Sequence, residues 1–86
     1  MTYIIPASVH FNQVNEEVVI MDEASDGYLA LNEVGATIWA AIVDGLDAPA
    51  IASRVVERFE VDDHTASTDV AEFLDVLVGR GLVAAT

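Results

Sequence analysis

Apolar residues recur along this chain in two different periods, and the change between them falls at residue 31. Before it, alternation by twos dominates, the spacing of strands. The stretch SVHFNQV (8–14) puts Val9, Phe11 and Gln13 on one side and His10, Asn12 and Val14 on the other. In EVVIMD (17–22), Val18 and Ile20 oppose Val19 and Met21, so both faces are apolar and neither is expected to be fully wet. YLAL (28–31) makes a third, very short strand. Asn15-Glu16 supplies a tight turn, and the cluster Glu23-Ala-Ser-Asp-Gly27 a second, with Gly27 able to take positive φ. Three strands joined by short turns predict an antiparallel meander.

Past residue 31 the apolar positions fall three and four apart. Asn32 is a good N-cap and Glu33 suits the positive end of a helix dipole. Leu31, Val34, Ile38 and Ile42 continue a helical stripe with Trp39 beside it, predicting a helix over 33–43 that Asp44-Gly45 ends. Trp39 is assigned to the core. Gly35 lies inside this helix at a cost of about 1 kcal/mol relative to Ala; it either admits a close neighbour or is simply tolerated. Asp47-Ala48-Pro49 opens a second helix, 48–59, with Ile51, Val55 and Phe59 as its stripe. A third, about 65–78, carries Ala66, Val70, Phe73, Leu74, Leu77 and Val78, and Gly79 and Gly81 signal its end. Leu82-Val83 then folds back as a short terminal segment. A meander has one apolar face to bury and three helical stripes can cover it. The expectation is one α+β domain, residues 1–86, of winged helix-turn-helix character with the sheet placed first.

Composition narrows what such a domain can do. Eighty-six residues make a single domain with an economical core, and 53% apolar residues are enough to build it. With no cysteine, disulfides, thiol catalysis and thiolate metal sites are excluded. With no lysine, Schiff-base chemistry goes too. The apolar runs are too short to span a membrane, and MTYIIP has no basic region of an export signal; a cytoplasmic location is expected. Fifteen acidic residues face Arg54, Arg58 and Arg80, a formal net charge of −12. That surface repels phosphate backbones and anionic lipid. The third helix carries Asp69, Glu72 and Asp75 against one Arg, which argues against reading DNA despite the architecture. Nucleic acid and membrane are therefore not expected partners.

Candidate chemistry is sparse. His10 and His64 stand apart, with no HExxH, paired-histidine or calcium-loop pattern. The pairs Asp22-Glu23 and Asp62-Asp63 suit turns and caps. No serine sits in a nucleophile motif, and no glycine-rich loop follows a strand. The reading is a non-enzyme without cofactor or metal. What remains is the strand Tyr28–Leu31: at a sheet edge, its free N–H and C=O groups would template another strand, with the apolar third helix making a groove of it. Leu29→Pro is the natural probe of that edge.

The run GYLALNEVGATIW resembles the signature of the PQQ biosynthesis protein D family, a Gly-Tyr strand leading into Leu-Asn-Glu-x-Gly-x-x-x-Trp. It falls here on Gly27, Tyr28, Leu31, Asn32, Glu33, Gly35 and Trp39, with later pieces at Asp69-Val70, Phe73-Leu74, Leu77 and Arg80-Gly81-Leu82. The resemblance implies a recognition element for ribosomally made, post-translationally modified peptides. Such proteins bind a precursor's leader as an added strand and deliver it to modifying enzymes. The walls implied here are Tyr28, Leu29, Ala30 and Leu31 on the strand and Asp69, Val70, Phe73, Leu74 and Val76 on the third helix. The length is similar to the stand-alone leader-binding subunit of split lasso-peptide systems, whose partners are a separate leader peptidase and a cyclase. The alternatives are an adaptor for a folded protein, or a peptide chaperone for a radical enzyme as in the PQQ pathway. A free edge strand also admits pairing with a second copy.

Overall fold

The computed structural model describes residues 1–24 and 26–86; Ser25, in the middle of the expected second turn, lies outside the described residues. Among the described residues the order is β1 (Tyr3–Ile4), β2 (Val9–Val14), β3 (Glu17–Asp22), β4 (Gly27–Leu31), α1 (Glu33–Val43), α2 (Ala48–Phe59), α3 (Asp63–Gly79) and β5 (Ala84–Ala85). Strands β2-β3-β4 form an antiparallel sheet in that order, and α1–α3 cover one of its faces. The expected α+β architecture is therefore present. A second, two-stranded sheet, β1 against β5, joins the two ends of the chain. It has no counterpart in the sequence reading, because two residues cannot display a period.

The sheet alternates as its sequence does. Val18, Ile20 and Leu31 point inward and are buried, while Met21, Tyr28 and Ala30 face out and are exposed. Asn15, at φ 58°, and Asp26, at φ 55°, take left-handed conformations in the two connecting turns. The buried Asp22 carboxylate accepts the Ala24 N–H at 3.1 Å, an Asx-type turn that begins the second connection.

Helix α1 is the hub. Seven of its residues, Gly35 to Trp39 with Ala41 and Ile42, are buried, because it has the sheet on one side and the other helices on the next. Trp39 is 1% exposed and meets Phe11 edge-to-face, ring centroids 5.4 Å apart at 75°. Ile51 and Val55 of α2 and Ala66, Val70, Leu74 and Leu77 of α3 close the core. Each helix starts on a side-chain cap: Asn32 Oδ1 accepts the Gly35 N–H, Asp47 Oδ1 that of Ala50, and Asp62 Oδ1 that of Thr65. Capping by Asp62 is why α3 starts at Asp63, two residues ahead of the expected 65.

The end of α3 sets up the site. Leu82 N–H donates to Leu77 C=O at 2.9 Å and Gly81 N–H to Val78 C=O at 3.0 Å, with Gly81 at φ 73°. This is a Schellman turn. It leaves Arg80 exposed at the helix terminus and sends Leu82 and Val83 back into the core.

Candidate functional site

The sheet's parity decides what β4 can offer. The β2–β3 hairpin closes on Val14 and Glu17 across a two-residue loop, so those two exchange main-chain hydrogen bonds, and the pairs Asn12–Val19 and His10–Met21 follow. The next bond in the series is present at 2.9 Å, from Glu23 N–H to Ser8 C=O. Odd-numbered residues of β3 therefore face β2, and Val18, Ile20 and Asp22 turn their polar groups to β4. Their partners are Leu31, Leu29 and Gly27. The groups left on the outer edge of β4 belong to Tyr28 and Ala30. Two residues thus present alternating donors and acceptors with no strand beside them among the described residues.

Alongside that edge lies a cleft of about 510 Å³ between β4, the first turns of α1 and one face of α3. Leu29, Ala30 and Leu31 form its strand wall, Val34, Gly35 and Ile38 its floor, and Asp69, Glu72, Phe73, Val76 and Arg80 its helix wall. Gly35 admits the close approach of Leu31, with the Phe73 ring at contact distance beside it. A β-carbon there would stand 3.1 Å from Leu31 Cβ and 3.4 Å from Phe73 Cζ. Of the two roles open to Gly35, close approach is the one it plays. Val34, expected on the buried stripe, is instead 37% exposed and lines the cleft.

Most of the expected wall residues meet at this cleft: Leu29, Ala30, Leu31, Asp69, Phe73 and Val76 all line it. Val70 and Leu74 do not. They are 1% and 3% exposed and belong to the inward stripe Ala66–Val70–Leu74–Leu77, so their place on the wall is corrected. Residues three and four apart share a helix face, and a turn of about 100° separates Phe73 from Leu74. Tyr28 is 71% exposed, its ring on the outer sheet face; it borders a smaller cavity of about 210 Å³ with Gly27, Leu29, Asp22, Leu82 and Arg80. Asn32, Val34, Gly35, Ile38, Glu72 and Arg80 were not anticipated as lining residues. For Gly35 and Glu72 the sequence carried a usable signal, a glycine inside a helix and an acidic residue beside Phe73; for the others it carried none.

Elsewhere the surface is less suited to an apolar chain. A wide depression beside the β2–β3 turn is ringed by Glu16, Glu17 and Glu33. His10 Nε2 lies 2.7 Å from Glu23 Oε1 on the outer sheet face. Among the described residues no group of three His, Asp or Glu is placed to hold a metal ion, and no helix is long and apolar enough to cross a membrane.

The same shape occurs in solved structures. TbiB1 in complex with the TbiA(beta) leader peptide superposes with a TM-score of 0.91 at 25% identity, over 96% of each chain. A lasso peptide synthetase B1 complexed with the leader peptide gives 0.89 at 22% identity, over 99% of this chain and 100% of that one. No curated protein matches the sequence. The family model for coenzyme PQQ synthesis protein D (PqqD) matches residues 17–83, from the second strand of the sheet through the last buried residue, and the chain belongs to that family.

Proposed function

We propose that this chain binds the leader region of a ribosomally made precursor peptide as a fourth strand on β4, and presents it to a separate leader peptidase and a cyclase of lasso-peptide type. It makes and breaks no covalent bond itself. The observation that carries this reading is the edge of β4, where Tyr28 and Ala30 leave main-chain groups unpaired beside an apolar cleft. An extended peptide laid there gains main-chain hydrogen bonds from the strand and seats alternate side chains between Phe73, Val76 and the floor at Gly35. Antiparallel addition continues the pattern of the sheet. Membership of the PqqD family and the likeness to TbiB1, itself solved with a leader peptide, support the same occupant.

Fluorescence polarisation tests it, using the labelled leader of the precursor encoded beside this chain, its scrambled sequence and a DNA duplex. Micromolar or tighter binding of the leader alone is expected. Equal, weak binding of leader and scramble would remove the assignment and favour a folded protein partner.

A further inference from the structure

Helix α3 runs opposite to β4. Phe73 meets Gly35, just beyond the end of the strand, whereas Arg80 borders the small cavity at Gly27 and Tyr28, where the strand begins. Asp69 lies one further helical turn before Phe73 and also lines the cleft, as does Glu72. The helix wall therefore changes from a guanidinium at the Gly27 end to two carboxylates at the Leu31–Asn32 end. Asp69 and Arg80 are separated by eleven residues of helix, roughly 16 Å. That exceeds the Debye length of about 8 Å at physiological salt, so each end acts on its own part of a bound chain.

The guanidinium is available. Arg54 is bonded to Asp44 at 2.8 Å, and Arg58 lies over the Phe59 ring at 5.6 Å. Among the described residues Arg80 makes no ion pair, including with Asp22, which shares the small cavity. In a chain of net charge −12 with three cations, the unengaged one stands at the mouth of the cleft.

Resting on the leader-binding reading above, we propose that the cleft reads charge order along the leader. It selects an antiparallel segment that carries an acidic side chain at the C-terminal end of its apolar stretch, against Arg80. At the N-terminal end, against Asp69 and Glu72, it selects a cationic or uncharged side chain. Charge complementarity of this kind fixes register and rejects wrong partners more than it adds affinity. The selectivity is local, and at Arg80 it opposes the protein's overall field.

The probe is the fluorescein-labelled leader of the neighbouring precursor, unmodified and in two altered forms. One has Lys before and Asp after the apolar stretch; the other has them exchanged. Binding of the Lys-first form about tenfold tighter than the exchanged form is expected, with the ratio shrinking as salt rises. Arg80→Glu should bring the ratio close to one and Arg80→Gln to an intermediate value, with circular dichroism unchanged in both. Equal affinities, tighter binding of the exchanged form, loss of both forms while the unmodified leader still binds, or a ratio indifferent to Arg80→Glu would each overturn the charge order and leave leader binding standing. Failure of the unmodified leader to bind would overturn the proposed function, and this inference with it.

Discussion

The edge of the Phe73 ring stands 3.4 Å from the point a β-carbon on Gly35 would occupy, and Leu31 Cβ is closer still at 3.1 Å. The ring can rotate away, but the Leu31 β-carbon is fixed to the backbone of β4. For Gly35→Ala, the helix-propensity gain of about 1 kcal/mol works against that approach, and a stability close to the parent is expected. Gly35→Val adds branches that must displace Phe73 as well. It should cost roughly 1–3 kcal/mol, lowering the thermal midpoint by several degrees and weakening leader binding through the lost cleft floor. A Val variant that melts with the parent would show that the floor has room to spare.

The parity of β4 separates two prolines that look equivalent in sequence. Ala30 directs its N–H to the open edge, so Ala30→Pro removes a group the sheet does not use; binding should weaken about 5–10-fold, the value of one hydrogen bond and some strand fit, while the fold persists. Leu29 pairs with Ile20 inside the ladder. Leu29→Pro, the natural probe from sequence alone, therefore cuts the sheet and should destabilise by about 3 kcal/mol or more. Urea titration beside polarisation distinguishes the two, and equal stability losses would refute the assignment of the edge groups.

Trp39 is buried against Phe11, and its indole Nε1 has no hydrogen-bond partner among the described residues. Trp39→Ala should cost about 3–5 kcal/mol by opening a cavity. Trp39→Phe should cost much less, because it removes an unpaired buried donor along with part of the ring. Calorimetric midpoints falling equally in both variants would mean that the indole N–H stabilises the fold despite its burial without a partner.

Asp62 caps α3, and the bonds it accepts from Thr65, side chain and then backbone, hold its carboxyl below the usual carboxylate range. A depressed folded-state pKa adds stability that is complete above the ordinary value of 3.8 and lost as pH falls through the lowered one. Acidification also relieves repulsion among fifteen acidic residues, an opposing effect common to every variant. The informative quantity is thus the difference between parent and Asp62→Asn. The parent's advantage should shrink as pH falls below the ordinary value of 3.8 in thermal melts; a constant difference would detach the cap from the titration.

Much of this was legible in the chain. Three strands, three helices and the caps at Asn32 and Asp47 were fixed by local period and local chemistry, and the structure places them within two residues of expectation. The two faces of α3 were not. Val70, Phe73 and Leu74 are all apolar and nearly adjacent around the helix, so the sequence offers no contrast between the residue that faces the cleft and those that fill the core. What divides them is the angle at which α3 docks: Val70 and Leu74 turn into the core, while Phe73 turns toward Gly35 of α1, thirty-eight residues away in sequence. The edge groups of β4 were equally hidden, since their parity is inherited from the pair that closes the β2–β3 hairpin.

The stripe Ala66, Val70, Leu74 and Leu77 and the stripe Asp69, Glu72, Phe73, Val76 and Arg80 share no residue. Apart from Phe73, which packs against the core, the outer stripe is therefore a rewritable surface on a helix docked by its inner one. In the proposed binding mode, the main-chain groups of Tyr28 and Ala30 would hold a peptide without regard to its side chains. New leader specificities are then reachable by drift on α3 alone, each intermediate remaining folded, which makes this small domain a practical starting point for retargeting to chosen peptides.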